Sequence, residues 1–176
     1  MAKVINLFGG PGTGKSTTAA GLFHLMKTSG ERVELVTEFA KDLTYRESFK
    51  QLTDNGYVTM NQHHRIFQCK DSVDYIVTDS PIIQSLIYPV SHPYEQESWK
   101  NFILSIHDNY DSFNVFLKRE EDAHPYRKYG RTQTLEQAME MDNRILSLLQ
   151  DNEIPFIQIS VGRDAHEQAF SWLKRS

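Results

Sequence analysis

The chain has 176 residues, of which 39% are hydrophobic and 24% are charged, a size and composition typical of one globular domain with its own core. Its formal net charge of −4 at pH 7 argues against a protein that coats nucleic acid by charge alone. The single cysteine, Cys69, excludes an internal disulfide and a zinc site built from several cysteines, and it is expected to be a small core residue.

The N-terminus is not expected to be a secretory signal peptide. The apolar run after Lys3 is too short for the core of a secretory signal. No run approaches the roughly 20 apolar residues that span a bilayer. We therefore expect a cytoplasmic protein without a membrane partner.

The elements of the first half alternate between strands and helices. Residues 4–8 form an apolar run that stops at a glycine-rich turn, and residues 16–28 carry small and apolar side chains at helical spacing. The pattern then predicts a second strand at 32–37, helices at 39–54 and 60–71 separated by residues 55–57, and a third strand at 74–79.

The second half continues this alternation. We predict a short helix or turn at 81–87, a loop at 89–97, a helix at 98–108 and a fourth strand at 114–117. A charged segment at 118–132 is followed by an amphipathic helix at 133–150, a fifth strand at 155–159 and a closing helix at 164–175. Five strands alternating with helices predict one α/β domain, a parallel sheet with helices on both faces.

The glycine-rich turn matches the phosphate-binding pattern G-x-x-x-x-G-K-[ST] at every fixed position. Its glycines let successive backbone N–H groups face an anion, and the following helix directs its positive end at the same point. Lys15 would reach the β- and γ-phosphates, and the Ser16 hydroxyl would ligate Mg²⁺. We therefore predict that ATP binds with Mg²⁺ at Gly10, Gly12, Thr13, Gly14, Lys15, Ser16 and Thr17.

Two carboxylates lie at the ends of predicted strands, at the edge where open α/β sheets bind ligands. Asp79 is the last residue of the predicted third strand, where P-loop proteins hold Mg²⁺ with an Asp, although Asp79 before Ser80 and Pro81 would also suit a helix cap. Glu38 follows the second strand, where a carboxylate could take a proton from a substrate hydroxyl. It equally suits the first turn of a surface helix. We expect Asp79 to be a metal ligand and both carboxylates to be catalytic.

The charged segment before the long helix holds five Lys or Arg among residues 118–131. Arginine suits the charge that develops on a transferred phosphoryl group, and a closing loop would expel water. The alternative is a solvated loop whose positive charges are balanced by its acidic residues. We predict a lid at about 118–132, in which Arg127 and Arg131 are catalytic and Arg119 binds the cofactor.

Polar residues recur every three or four positions along the predicted helix at 60–71, so some of them share a face. That face could line the pocket of a phosphate acceptor, or it could be an exposed surface. The candidates for acceptor binding, besides Glu38, are Gln62, His64, Arg65 and Gln68.

Four segments in this order resemble the small P-loop kinases of the nucleoside/nucleotide-kinase superfamily. They are the glycine-rich loop, Glu38-Phe39-Ala40-Lys41 after the second strand, Asp79-Ser80-Pro81 after the third, and Gly130-Arg131-Thr132-Gln133 before the long helix. The chain resembles most the compact domains found in bacterial nicotinamide-riboside kinases and phage-encoded kinases. It departs from many nucleoside kinases at Ser80, where they carry Arg.

The resemblance implies a single domain with a five-stranded sheet of order 2-3-1-4-5 and a lid. It also implies transfer of the γ-phosphate of ATP to a nucleoside- or nucleotide-like acceptor, with Glu38 binding or deprotonating the acceptor and Gly162 near the adenine. Some phage kinases of this kind act on a hydroxymethylated base in DNA, so DNA stays an alternative acceptor. We expect a monomer or homodimer.

Two other classes of P-loop protein are alternatives to a kinase. Base-specific GTPases usually carry Asn-Lys-x-Asp at a strand end, and this string is absent from the sequence. An ATPase subunit of a larger machine commonly needs an arginine from its neighbour and a longer chain. An ATPase subunit of a larger assembly stays an alternative.

Overall fold

A computed structural model describes residues 1–89, 95–120 and 134–175. Within these residues five parallel strands form one sheet in the order β2-β3-β1-β4-β5, as expected. The strands are β1 (Lys3–Phe8), β2 (Val33–Val36), β3 (Tyr75–Thr78), β4 (Ser112–Lys118) and β5 (Ile157–Ser160).

Helices cover both faces of this sheet. The α-helices are α1 (Lys15–Thr28), α2 (Phe39–Tyr45), α3 (Phe49–Leu52), α4 (Asn55–Cys69), α5 (Gln96–Asp108), α6 (Leu135–Asp151) and α7 (Ala165–Leu173), and a 3-10 helix covers Ile82–Ile87. No helix in the described part of the chain is long and apolar enough to cross a membrane.

The central strand β1 shows how the sequence builds two cores. Successive side chains of a strand point to opposite faces of the sheet, so Val4 and Phe8 pack on one face and Ile5 and Leu7 on the other. The first face is covered by α4, α5, α6 and the 3-10 helix, and the second by α1 and α7. Burial on both faces explains why four of the six residues of this strand are apolar.

The predicted helix boundaries were wrong between residues 45 and 60. Residues 55–57 were expected to separate two helices, but they form the first turn of α4 because the Asp54 carboxylate accepts a hydrogen bond from the Tyr57 backbone N–H at 3.0 Å. The interruption lies earlier, after α2, where Glu47 adopts a positive φ of 54°. The predicted helix at 39–54 is therefore two short helices.

All five strands run in one direction, so their carboxyl ends meet at one edge of the sheet. The residues that follow them there are Gly9 after β1, Glu38 shortly after β2, Asp79 after β3, Arg119 after β4 and Val161 after β5. This edge gathers the glycine-rich loop and both predicted carboxylates, as is usual for ligand sites in open α/β sheets.

Candidate phosphate-binding site

The glycine-rich loop turns tightly between β1 and α1. Gly9, Gly12 and Gly14 have φ of 149°, 78° and 86°, values that residues with a Cβ rarely adopt. The Thr13 side chain folds back and its hydroxyl donates to the Gly10 carbonyl at 2.9 Å. Gly14 caps α1 in the left-handed conformation, and Ser16 and Thr17 follow in the exposed first turn of that helix. The loop therefore ends at a helix N-terminus, the position at which backbone N–H groups bind phosphate.

Lys15 lies over this loop. Its ammonium donates to the carbonyls of Gly9 at 2.6 Å and Gly10 at 3.0 Å. Burial lowers its pKa, and the carboxylates of Glu38 and Asp79 act in the opposite direction. Because burial removes water from the Lys15 ammonium, this cation would interact strongly with a phosphate bound in the loop.

Asp79 and Ser16 form a pair of hard oxygen donors at the end of the loop. The Ser16 hydroxyl donates to Asp79 Oδ2 at 2.5 Å, and Asp79 is only 4% exposed. Its other carboxylate oxygen, Oδ1, is buried and accepts no hydrogen bond from the described residues. A buried carboxylate oxygen without a donor normally has another partner, and Mg²⁺ in nucleotide sites takes one or two carboxylates together with phosphate oxygens. The donor set fits Mg²⁺.

The helix-cap interpretation of Asp79 receives no support. Pro81 occupies the cap position of the following 3-10 helix, and that cap has no side-chain hydrogen bond. The Ser80 backbone N–H is bound by the Thr78 hydroxyl at 3.2 Å instead.

Glu38 lies at the cap position of α2 but its side chain caps nothing. Burial raises the pKa of its carboxyl, Lys15 lowers it and Asp79 raises it further. Glu38 therefore interacts electrostatically with both Lys15 and Asp79. The carboxylate is thus desolvated, close to the loop lysine, and not used by its own helix.

The acceptor-binding candidates on α4 have different environments. Gln62 is 3% exposed; its carbonyl oxygen accepts from the Phe39 backbone N–H at 2.8 Å and its amide nitrogen lies 3.4 Å from the Thr78 hydroxyl oxygen. It thus joins the residue after Glu38 to the residue before Asp79. Arg65 donates to the Thr37 carbonyl at 3.2 Å, pairs with Asp42 and stacks over the Phe39 ring.

His64 and Gln68 are exposed. Gln68 donates to the His64 carbonyl at 3.3 Å in the last turn of α4. The Lys70 carbonyl, two residues after Gln68, accepts a hydrogen bond from the Ala2 backbone N–H. This end of α4 therefore lies beside the start of β1. The structure therefore does not bring Gln68 to the edge of the phosphate loop.

Three residues at this site had no role in the sequence-based prediction. Asp142, from the middle of α6, accepts a hydrogen bond from the Gly10 backbone N–H at 2.5 Å. Gln84 places its amide nitrogen 3.5 Å from the Gly9 carbonyl. Tyr88 is 40% exposed, and its partial burial together with the charge of Glu38 raises its pKa to about 12. No local motif marks these residues, because tertiary packing alone brings their elements to the loop.

The residues that follow β4 and β5 also lie beside the phosphate loop. Arg119 donates to Asp142 at 2.9 Å and to the Pro11 carbonyl at 2.8 Å. Val161 donates its backbone N–H to the Lys118 carbonyl at 2.9 Å, and a Cβ on Gly14 would lie 3.4 Å from its side chain. Arg119 therefore contacts the loop directly, and Gly162 directly follows Val161, the residue beside Gly14. Arg127 and Arg131, with most of the predicted lid, lie outside the described residues.

One family comparison covers this site. The sequence model described as an AAA domain matches residues 4–167, which include the phosphate loop, Glu38, Asp79, Arg119 and Asp142. No curated protein matches the chain. The fold, the loop and this match together indicate a nucleotide-binding P-loop domain.

Proposed function

The chain belongs to the AAA domain family, a family of P-loop nucleotide-binding domains, and on that premise we propose that it is an ATP-dependent phosphotransferase. The acceptor would be a hydroxyl or phosphate of a nucleoside- or nucleotide-like molecule. The observation that carries the proposal is the position of Glu38, a desolvated carboxylate that is electrostatically coupled to Lys15 and Asp79. Glu38 does not cap its own helix, which supports a role for this second carboxylate in acting on an acceptor.

The loop residues would bind the triphosphate. Lys15 would neutralise the β- and γ-phosphates, and Ser16 and Asp79 would hold Mg²⁺ through the hydroxyl oxygen and the buried Oδ1. Mg²⁺, when bound, supplies positive charge to the phosphate oxygens. Catalysis of this kind depends mainly on positioning and charge neutralisation.

Glu38 would act on the acceptor. The acceptor oxygen forms a bond to the γ-phosphorus while the bond between that phosphorus and the bridging oxygen of ADP breaks, and the hydroxyl proton passes to the Glu38 carboxylate. A raised pKa makes this carboxylate a better proton acceptor than an exposed Glu. Its proximity to Lys15 would keep the acceptor near the γ-phosphate.

The remaining predicted site residues have supporting roles in this proposal. Arg119 and Gly162 would lie near the bound base, and Arg127 and Arg131 would add positive charge around the transferred group. His64 and Arg65 are candidates for contact with the acceptor.

A phosphate-transfer screen tests the proposal. The purified protein is incubated with Mg²⁺, γ-labelled ATP and a panel of acceptors: nucleosides, modified nucleosides, nucleoside monophosphates, nicotinamide riboside, and single- and double-stranded DNA with and without hydroxymethylated bases. We expect label transfer to a member of the panel, loss of transfer in Lys15→Ala, and a larger effect of Glu38→Gln on turnover than on ATP affinity.

Other results of the screen would change the proposal in defined ways. Transfer only to DNA would make DNA the acceptor. ATP hydrolysis without any labelled acceptor would favour an ATPase subunit of a larger assembly. Unchanged turnover in Glu38→Gln would remove its role as proton acceptor.

A further inference from the structure

Helix α6 contacts the phosphate loop through one carboxylate with two partners. Asp142 Oδ1 accepts the Gly10 backbone N–H at 2.5 Å, and Asp142 Oδ2 accepts from Arg119 Nε at 2.9 Å. The second arm of the Arg119 guanidinium donates to the Pro11 carbonyl at 2.8 Å. Asp142 and Arg119 therefore close a ring of hydrogen bonds with Gly10 and Pro11, in the first half of the loop.

This ring is partly removed from water. The side chains of Arg119 and Asp142 are 17% and 13% exposed, in contrast to the Arg144–Glu140 pair on the same helix, whose side chains are 57% and 61% exposed. Exposed pairs of the second kind contribute little to stability or order. Charge-assisted hydrogen bonds with low exposure hold their groups more firmly.

Gly10 has a steric role in the contact. A Cβ built on Gly10 would lie 2.5 Å from the Ala138 carbonyl oxygen and 2.7 Å from Asp142 Oδ1. Glycine at this position is thus required by the close approach of α6, and no positive φ is involved. The second glycine of the loop therefore allows the helix to hold the loop from outside.

We propose that Asp142 is a positioning residue that, with Arg119, fixes the first half of the phosphate loop in its triphosphate-binding shape. The inference rests on the proposed binding of ATP to this loop. Order imposed before binding reduces the entropy that the loop loses when a ligand arrives, so it raises affinity. The hydrogen bond to Asp142 holds Arg119 beside the Pro11 carbonyl. The Arg119 guanidinium is therefore close to the loop and to any ligand bound there.

The sign of a mutational effect separates this role from simple electrostatics. Removal of a negative charge beside a triphosphate would by itself strengthen binding of the triphosphate. Loss of a positioning contact would weaken binding. Weaker binding after removal of Asp142 can therefore be attributed to the loop and not to charge.

The test is a calorimetric titration of Asp142→Ala, Asp142→Asn and the wild-type protein with ATP and, separately, with inorganic tripolyphosphate, both with Mg²⁺. Glu140→Ala, which removes an exposed carboxylate from the same helix, is the matched control. We expect Asp142→Ala to bind both ligands about tenfold more weakly, equivalent to ~1.4 kcal/mol. Asp142→Asn, which keeps an oxygen for the Gly10 N–H, should lose less, and Glu140→Ala should match the wild type.

Unchanged or tighter binding by folded Asp142→Ala would overturn the proposal, as would a loss of thermal stability with the same dissociation constant. If Asp142→Ala does not fold, Asp142→Asn decides: weaker binding than the wild type supports the proposal and wild-type binding overturns it. Failure of the wild-type protein to bind either ligand would overturn the proposed function as well. That result is seen before any variant is compared.

Discussion

The substitution Gln62→Leu tests whether the buried Gln62 side chain stabilises the fold next to Glu38 and Asp79. Leucine has a similar volume but cannot accept the hydrogen bond that the Phe39 backbone N–H donates at 2.8 Å. It also removes the contact of 3.4 Å with the Thr78 hydroxyl. Because Gln62 is only 3% exposed, water cannot replace these partners.

The expected cost is that of a buried donor without a partner, about 1–3 kcal/mol of unfolding free energy. A domain of this size loses roughly 2–4 °C in melting temperature for each kcal/mol. We therefore expect Gln62→Leu to melt several degrees below the wild type, with a lower denaturant midpoint and a similar m-value.

The measurement is thermal and urea unfolding followed by circular dichroism. Gln68→Leu is the matched control, because Gln68 lies on the same helix but is exposed and bonds only to the His64 carbonyl among the described residues. Equal stabilities of the two variants would refute the supporting role. A fully stable Gln62→Leu protein that fails to bind an acceptor would support Gln62 as an acceptor-binding residue.

Three further substitutions test individual features. Gly10→Ala places a Cβ 2.5 Å from the Ala138 carbonyl; we expect a loss of about 1–3 kcal/mol in unfolding free energy, and an unchanged urea midpoint would contradict the close approach of α6. Burial raises the pKa of the Glu38 carboxyl above its usual 4.5, so the folded state binds the carboxyl proton more tightly than the unfolded state does. The free energy of unfolding therefore falls as pH rises from 4.5 to the raised pKa of the folded state. Glu38→Gln should therefore be more stable than the wild type at neutral pH, and the difference should disappear below about pH 4.5; a constant difference from pH 4 to pH 8 would show that burial does not penalise the charge. Asp79→Asn should reduce the gain in ATP affinity that Mg²⁺ gives, measured as the ratio of dissociation constants with and without the metal, and an unchanged ratio would remove Asp79 as a ligand.

Local sequence signals predicted the frame of the site well. The apolar run of β1, the fixed residues of the glycine-rich loop and the helix after it are contiguous, so one stretch of sequence carries the whole signal. The predicted five-stranded parallel sheet is confirmed, because strands that alternate with helices leave few arrangements. The same reasoning brought Glu38 and Asp79 to one edge.

Long-range contacts set the limit of that prediction. Asp142 lies in an amphipathic helix that sequence periodicity identifies, but its distance of 132 positions from Gly10 leaves no local pattern. The polar residues of α4 posed a similar problem, because helical spacing cannot tell a buried amide such as Gln62 from an exposed one such as Gln68. Asp54 was missed as a helix cap because the turn-forming residues Asn55 and Gly56 suggested a break instead.

A calorimetric titration of ATP with Mg²⁺ into the wild-type protein and Lys15→Ala tests the central claim most directly. The account predicts saturable binding by the wild type and a loss of affinity of at least about tenfold when the loop lysine is removed. Absence of binding to the wild type, or equal affinity of the two proteins, would contradict the assignment of residues 9–16 as a triphosphate site.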